Sequence, residues 1–329
     1  MRAVVITRPG GPEVLEVQER EIPRPSSSEV LIRVRASALN RADLAQREGH
    51  YPAPPGAPQD IPGLEFAGEI AEVGANVADW KPGDRVFGIV AGGGNAEYLL
   101  TDARTVARVP DQFSWTDAAA IPEAFITAHD ALFTQAELHA NEHVLIHAVG
   151  SGVGLAATQL VRAHGATPFG TARTADKIER AKEHGLAEGL VVGDDTAIIA
   201  TAFNDLTNGQ GIDVTLDLVG GPYLGPSIQA AARRGRIMLI GTIAGRAATI
   251  PVNLILHKRL TLRGTVLRAR SVEEKRAATA AFVRDVLPLI ASGRVHPTVD
   301  RVYDLDEIRA AHERLASNAT FGKVVLRMP

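Results

Sequence analysis

The sequence predicts an α/β protein in two parts: a β-rich domain, and a parallel sheet wound on both faces by helices. Three observations carry this. Over Val30–Ala36 (VLIRVRA) and Phe66–Val73 (FAGEIAEV), apolar residues alternate with small or polar ones, the period of strands that bury one face. From about Pro122 onward, short apolar runs alternate with helix-like segments, the texture of a doubly wound sheet. The chain has 329 residues, enough for about two domains with separate cores.

Turn residues such as Lys81-Pro82-Gly83-Asp84 punctuate the first domain, and Tyr51–Pro62 (YPAPPGAPQDIP) carries five prolines, which predict an irregular, semi-rigid loop. Buried parallel strands are expected at Val144–Ala148, Thr167–Thr171, Gly189–Val192, Asp213–Leu218 and Arg236–Gly241. Beyond Thr265 one long helix is expected, opened by the capping box Ser271-Val-Glu-Glu274 and running to Ile290 before Gly293 stops it. Asp304 with Glu307 starts another helix, and Gly322–Leu326 (GKVVL) reads as a strand that returns to the first domain. The expected division is residues 1–121, 122–266 and 267–329, the last completing the first.

With 45% apolar and 22% charged residues the composition is that of a globular protein, and no apolar run reaches the roughly 20 residues that span a bilayer. The opening MRAVVITRPGGPEVLEV lacks the apolar core of a signal peptide, so a cytoplasmic protein without a membrane partner is expected. There is no cysteine, which excludes disulfides and thiolate metal sites. A net charge of -3 argues against a nucleic-acid partner, leaving a local basic strip at Arg259–Arg270, and favours a small-molecule substrate.

The segment His147–Gln159 (HAVGSGVGLAATQ) follows an apolar run and enters a helix, where small residues and free N–H groups suit a pyrophosphate. The pattern G-x-G-x-x-G is incomplete: Val149 and Ser151 stand at the first and third positions, and only Gly154 is in place. An Asp or Glu about 20 residues on would bind ribose hydroxyls; here stand Arg173, Thr174 and Lys177, the cations and hydroxyl a 2′-phosphate wants. The competing reading makes them solvated surface charges. His139, His143 and His147 recur at a spacing that aligns metal ligands only on a helix, and this segment reads as turn and strand, so no metal is expected. Ser151 lacks the G-x-S-x-G elbow of a hydrolase.

In the first domain, Ser37–Tyr51 (SALNRADLAQREGHY) brings together Asn40, Arg41, Asp43 and Tyr51 at a strand-to-helix junction. Asn40 can donate and accept, and Tyr51 offers a phenolic proton to an oxygen that gains charge; alternatively Asn40 or Asp43 is a helix cap. Thr127 in IPEAFITAHDAL is either a cofactor contact or a packed helix residue.

The stretches PGGPEVLEV, SALNRADLAQREGHY, GLEFAGEIAEVG, GGGNAEY, IPEAFITA, HAVGSGVG, LDLVGG and GKVVL cover nearly the whole chain. In this order they resemble the medium-chain dehydrogenase/reductase superfamily, and within it the zinc-independent branch of the p53-inducible quinone oxidoreductases. The resemblance implies a GroES-like β domain closed by the C-terminal segment, a Rossmann domain between, NADPH in a cleft, and a homodimer joined through the last Rossmann strands. It implies cofactor contacts at Asn40, Tyr51, Thr127, Ser151, Gly152, Val153, Gly154, Thr174, Lys177, Gly241, Thr242, Gly264, Thr265, Val266 and Lys323. Leu64 and Asn40 stand where zinc-dependent relatives have histidine and cysteine ligands. Val192 replaces a tyrosine that helps hold the 2′-phosphate, so the phosphate pocket is expected to be rebuilt around Arg173.

The resulting expectation is an NADPH-dependent, metal-free quinone reductase with Tyr51 and Asn40 polarising the substrate oxygen. The alternatives are an enone or 2-alkenal reductase, and an NADPH-binding regulatory protein with weak turnover.

Overall fold

A computed structural model describes residues 1–329. Its first part holds β1 (Arg2–Ile6), β2 (Leu15–Glu19), β3 (Glu29–Leu39), α1 (Arg41–Arg47), β4 (Glu65–Val73), β5 (Arg85–Ile89), β6 (Tyr98–Asp102), β7 (Val106–Arg108), α2 (Trp115–Ala119) and α3 (Pro122–His129). β1 and β2 form an antiparallel pair, and β3 pairs antiparallel with β4 and β6. The segment 51–62 forms no helix or strand, as its prolines dictate.

The second part holds β8 (His143–Ile146), α4 (Gly152–Ala163), β9 (Thr167–Ala172), α5 (Ala175–Glu183), β10 (Glu188–Val191), α6 (Ile198–Leu206), β11 (Ile212–Asp217), α7 (Leu224–Ala230), β12 (Ala231–Leu239), α8 (Val252–Lys258) and β13 (Thr261–Gly264). Its six strands are parallel in the order β10-β9-β8-β11-β12-β13. The order reverses between β8 and β11, which opens a crevice at their carboxyl ends, where such sheets bind ligands. This is the Rossmann architecture that the alternating pattern predicts. β13 was not legible, because Thr261-Leu-Arg-Gly264 is mostly exposed and carries one apolar side chain.

The remaining elements are α9 (Val272–Asp285), α10 (Leu287–Ala291), β14 (Val299–Asp304), α11 (Ile308–Ala316) and β15 (Lys323–Arg327). The single helix expected from Ser271 to Ile290 breaks at Val286. Pro288 lacks an N–H and disfavours helical backbone before it, so it starts a new helix within α10's first turn. Both capping boxes form, at Ser271/Glu274 and Asp304/Glu307. β15 runs antiparallel to β3 and parallel to β14, giving the order β14-β15-β3-β4-β5-β7 with β6 beside β3. The C-terminal strand therefore completes the GroES-like sheet.

Two compact domains result: Met1–Ile126 with Leu267–Ala291 and His296–Pro329, and Thr127–Val266 with Ser292–Val295. The division falls after Ile126, later than residue 121. The start of α3 is tied to β4, the Glu123 N–H donating to Glu65 Oε2 at 2.8 Å. Leu15, Ile32, Phe66, Ile70, Ile308 and Leu326 lie in one core; Leu145, Phe169, Ile199, Phe203 and Ile212 lie in the other. No helix is long and apolar enough to cross a membrane.

Candidate functional site

In the second domain the turn after β8 leads into α4 through Ser151, whose hydroxyl accepts the Gly154 N–H at 3.1 Å and so caps the helix. The N–H groups of Gly152 and Val153, in the first turn of α4, have no helical carbonyl within reach and stay open to a ligand. Gly154 is required by packing, since a Cβ there would lie 2.6 Å from the Ala148 oxygen. The missing first glycine also has a cause. Val149 is fully buried against Gly170 of β9, where a Cβ would come within 2.8 Å of the valine Cβ, so the small residue has moved to the neighbouring strand. Ala148 holds a left-handed φ of 52°, a strained backbone of the kind that collects at binding turns.

Arg173 and Thr174 are exposed at the end of β9, and Lys177 is half-buried in the first turn of α5. Val192 is buried in the core and offers nothing to a phosphate. A different tyrosine is nearby. Tyr223, in a short turn after β11, packs its ring edge-on to His147 at 5.0 Å, and its hydroxyl lies close enough to Arg173 to feel that charge. Burial raises the Tyr223 pKa, Arg173 opposes the rise and Asp217 adds to it. Sequence reasoning missed Tyr223, because a turn far along the chain carries no local signal of what it faces.

His147 is fully buried, and burial lowers its pKa. The Ser227 hydroxyl donates to the Tyr223 carbonyl, so it accepts from His147 Nε2 at 2.8 Å, and Nδ1 then accepts from Thr171 Oγ1 at 3.0 Å. This ring ties Tyr223's turn to β9, two residues before Arg173. His143 Nδ1 lies 3.3 Å from the Gly211 carbonyl, and no group of three or more His, Cys, Asp or Glu is arranged to hold a metal.

Of the other cofactor candidates, Gly241 and Thr242 follow β12, and Gly264, Thr265 and Val266 close β13, all at the carboxyl edge of the sheet. A Cβ at Gly241 would lie 2.2 Å from the Leu218 oxygen, so the loop after β12 crosses the end of β11 closely. Thr127, nearly buried, has a hydroxyl without a partner.

In the first domain the residues around Asn40 form a buried charge cluster. Asn40 starts α1, and the cap comes from Asp43, whose carboxylate accepts the N–H of Asn40 at 2.7 Å and of Gly63 at 2.9 Å. The Asn40 amide donates to Ala38 O and Glu65 Oε1, at 3.2 and 2.9 Å, and its oxygen accepts from Lys323 Nζ at 2.6 Å. Lys323 also reaches Glu65 Oε1 at 2.6 Å and Leu39 O at 3.0 Å. The amide hydrogens of Asn40 and the ammonium of Lys323 are thus directed within the domain. This differs from the contacts expected of them, Asn40 to substrate and Lys323 to cofactor, because Glu65 is completely buried and needs their donors.

Tyr51 lies over Arg268, its ring centroid 5.0 Å from the guanidinium carbon. Arg268, itself buried, donates to Tyr51 O, Ala91 O and Gln46 Oε1 at 3.1, 2.8 and 2.5 Å. Burial raises the Tyr51 pKa against the pull of Arg268. Burial likewise pushes Asp43 up to about 6, and burial with the adjacent Glu65 pushes Glu123 up to about 8. Arg268 and Glu123 were not legible, since the cluster is gathered from β3, β4, α3, β15 and the chain before α9.

Leu64 is buried and Asn40 is committed, so the donor set that a catalytic zinc needs does not fit here. The ammonium of Lys323 already supplies the positive charge beside Glu65.

Comparison with known proteins follows the same division. A family model of the alcohol dehydrogenase GroES-like domain matches residues 26–111, and one described as zinc-binding dehydrogenase matches residues 152–283. A quinone oxidoreductase of Lama guanicoe is 33% identical over 329 residues, covering 99% of this chain and 97% of the relative. The Escherichia coli quinone oxidoreductase solved with NADPH superposes with a TM-score of 0.88 at 28% identity, over 99% of this chain and 100% of that one. The CurK enoyl reductase gives 0.87 at 27% identity, over 100% and 99%. The chain belongs to the medium-chain dehydrogenase/reductase superfamily. Within that class it is similar in sequence to quinone oxidoreductases along nearly its whole length.

Proposed function

We propose that the protein is an NADPH-dependent, zinc-independent reductase of quinones, of the p53-inducible branch. The observation that carries this is the pairing of a capped turn with Arg173, Thr174 and Lys177 after β9 and Tyr223 after β11; the tip of β9 itself carries no carboxylate to favour NADH, and Asp176 in the first turn of α5 pairs with Arg180. Bound NADPH supplies the hydride. The N–H groups of Gly152 and Val153 with Ser151 would hold the pyrophosphate, and Arg173, Lys177, Thr174 and Tyr223 would hold the 2′-phosphate. Thr127, Gly241, Thr242, Gly264, Thr265 and Val266 line the rest of the dinucleotide.

Tyr51, fixed by Arg268, presents its phenol to the oxygen that gains charge. Asn40 and Lys323 act through Glu65 as positioning residues. Zinc independence is supported by the donor chemistry at Asn40 and Leu64, although one matching family is described as zinc-binding. A homodimer is supported by the exposed edge strand β13 with the exposed Ile243, Val252 and Leu256.

A second reading, reduction of the carbon-carbon double bond of an enone, is favoured by the likeness to an enoyl reductase. Steady-state NADPH oxidation with a panel of quinones, enones and aldehydes separates the two. Faster turnover on quinones supports the first reading, turnover confined to enones supports the second, and tight NADPH binding without turnover indicates a regulatory binder.

A further inference from the structure

In the first-domain cluster Glu65, Asp43 and Arg268 are each tied at their charged ends, and Glu123 is not. Glu65 receives Lys323, Asn40 and a backbone N–H; Asp43 receives two backbone N–H groups; Arg268 gives its donors to Ala91, Tyr51 and Gln46. Glu123 is held only by its backbone N–H, at the start of α3, and its half-buried carboxyl has no hydrogen bond or ion pair within the domain. The Tyr51 hydroxyl is likewise unengaged there, and it and Glu123 are close enough to perturb one another's ionisation.

We propose that Glu123 is the proton donor of the reduction, delivering its carboxyl proton to the substrate atom that gains charge beside Tyr51. The proposal rests on the reading above of a reductase of quinones or enones. The charged groups around Glu123 are Glu65 of β4, Asp43 of α1, Lys323 of β15, and Arg268 and Lys275 at the start of the C-terminal segment. Glu65 is kept as a fixed neighbour by its three donors, so a second negative charge at Glu123 is disfavoured and the proton stays on Glu123. Its pKa of about 8 lies near an operating pH, where a general acid works best, whereas the phenol of Tyr51 is raised further from it. Partial exposure lets the spent carboxylate be reprotonated from water.

The step balances. The hydride from NADPH brings the electron pair to the acceptor. The Glu123 O–H bond breaks, its electrons remain on the carboxylate, and a new O–H bond forms on a quinone oxygen, or a C–H bond on the α-carbon of an enone. The hydride supplies the other hydrogen of the quinol, so one hydride and the one proton from Glu123 complete the two-electron reduction.

The test is the pH dependence of kcat for the wild type and Glu123→Gln on whichever quinone or enone the wild type reduces, with NADPH binding measured alongside by fluorescence. Wild-type kcat falls as pH rises through about 8. The variant binds NADPH as the wild type does, which reports an intact fold, loses about 100-fold in kcat, and lacks that limb. A variant with unchanged kcat and the same limb overturns the role of Glu123 alone. A wild type that oxidises NADPH with no quinone or enone overturns the reductase reading and this proposal with it.

Discussion

The phosphate turn of the second domain and the charge cluster of the first solve opposite problems. The second domain leaves polar groups open: two N–H groups beyond the Ser151 cap, an exposed Arg173 after β9 and an unpartnered Thr127 hydroxyl on α3. The cluster consumes almost all of its polar groups internally, leaving Tyr51 and Glu123 with free ends. Binding energy is therefore expected from the first of these regions, and positioning and proton chemistry from the second.

The largest effect that would break this contrast is on stability. Lys323→Met leaves the carboxylate of Glu65 buried without its cation and is expected to cost about 3 to 5 kcal/mol in a denaturant titration. Thr174→Ala, at an exposed position, is expected to stay within about 0.5 kcal/mol. Equal effects would erase the distinction. Next comes cofactor choice: Lys177→Ala is expected to lose roughly 1.5 to 3 kcal/mol of NADPH affinity by calorimetry and leave NADH nearly untouched. Equal losses for both nucleotides would remove Lys177 from the 2′-phosphate. Tyr223→Phe sharpens the same point with a smaller loss, about 0.5 to 1.5 kcal/mol for NADPH only.

The pH dependence of stability gives the subtlest effect. Glu123 has a folded pKa of about 8 against an ordinary 4.5, and Asp43 about 6 against 3.8, so the folded state holds protons the unfolded chain has released. Stability contributed by these groups therefore falls as pH rises, between 4.5 and about 8 for Glu123 and between 3.8 and about 6 for Asp43. Denaturant midpoints at about pH 5 and about pH 8.5 are expected to diverge more in the wild type than in Glu123→Gln. The same gap in both proteins would show that Glu123 titrates normally.

The two regions also differ in how far the sequence announces them. β8 to β12 and the small-residue turn into α4 were legible because periodicity and the Gly154 position are local signals. The swap of Val149 against Gly170 was hidden, since the compensating glycine sits on the next strand. In the first domain the junction at Asn40 was legible as a place and not as a job. Glu65, Glu123, Arg268 and Lys323 meet Asn40 only after the C-terminal strand returns, and no spacing in the chain records that meeting. The break at Val286 was available from Pro288, but the strong capping box at Ser271 masked it.

The central claim is metal-free carbonyl reduction driven by NADPH. Its most direct measurement is the rate of NADPH oxidation with a simple quinone, before and after exhaustive chelation and with zinc added back. Turnover that chelation and added zinc leave unchanged is the expected result. Activity lost on chelation and restored by zinc would contradict it, as would a protein that binds NADPH and reduces no quinone.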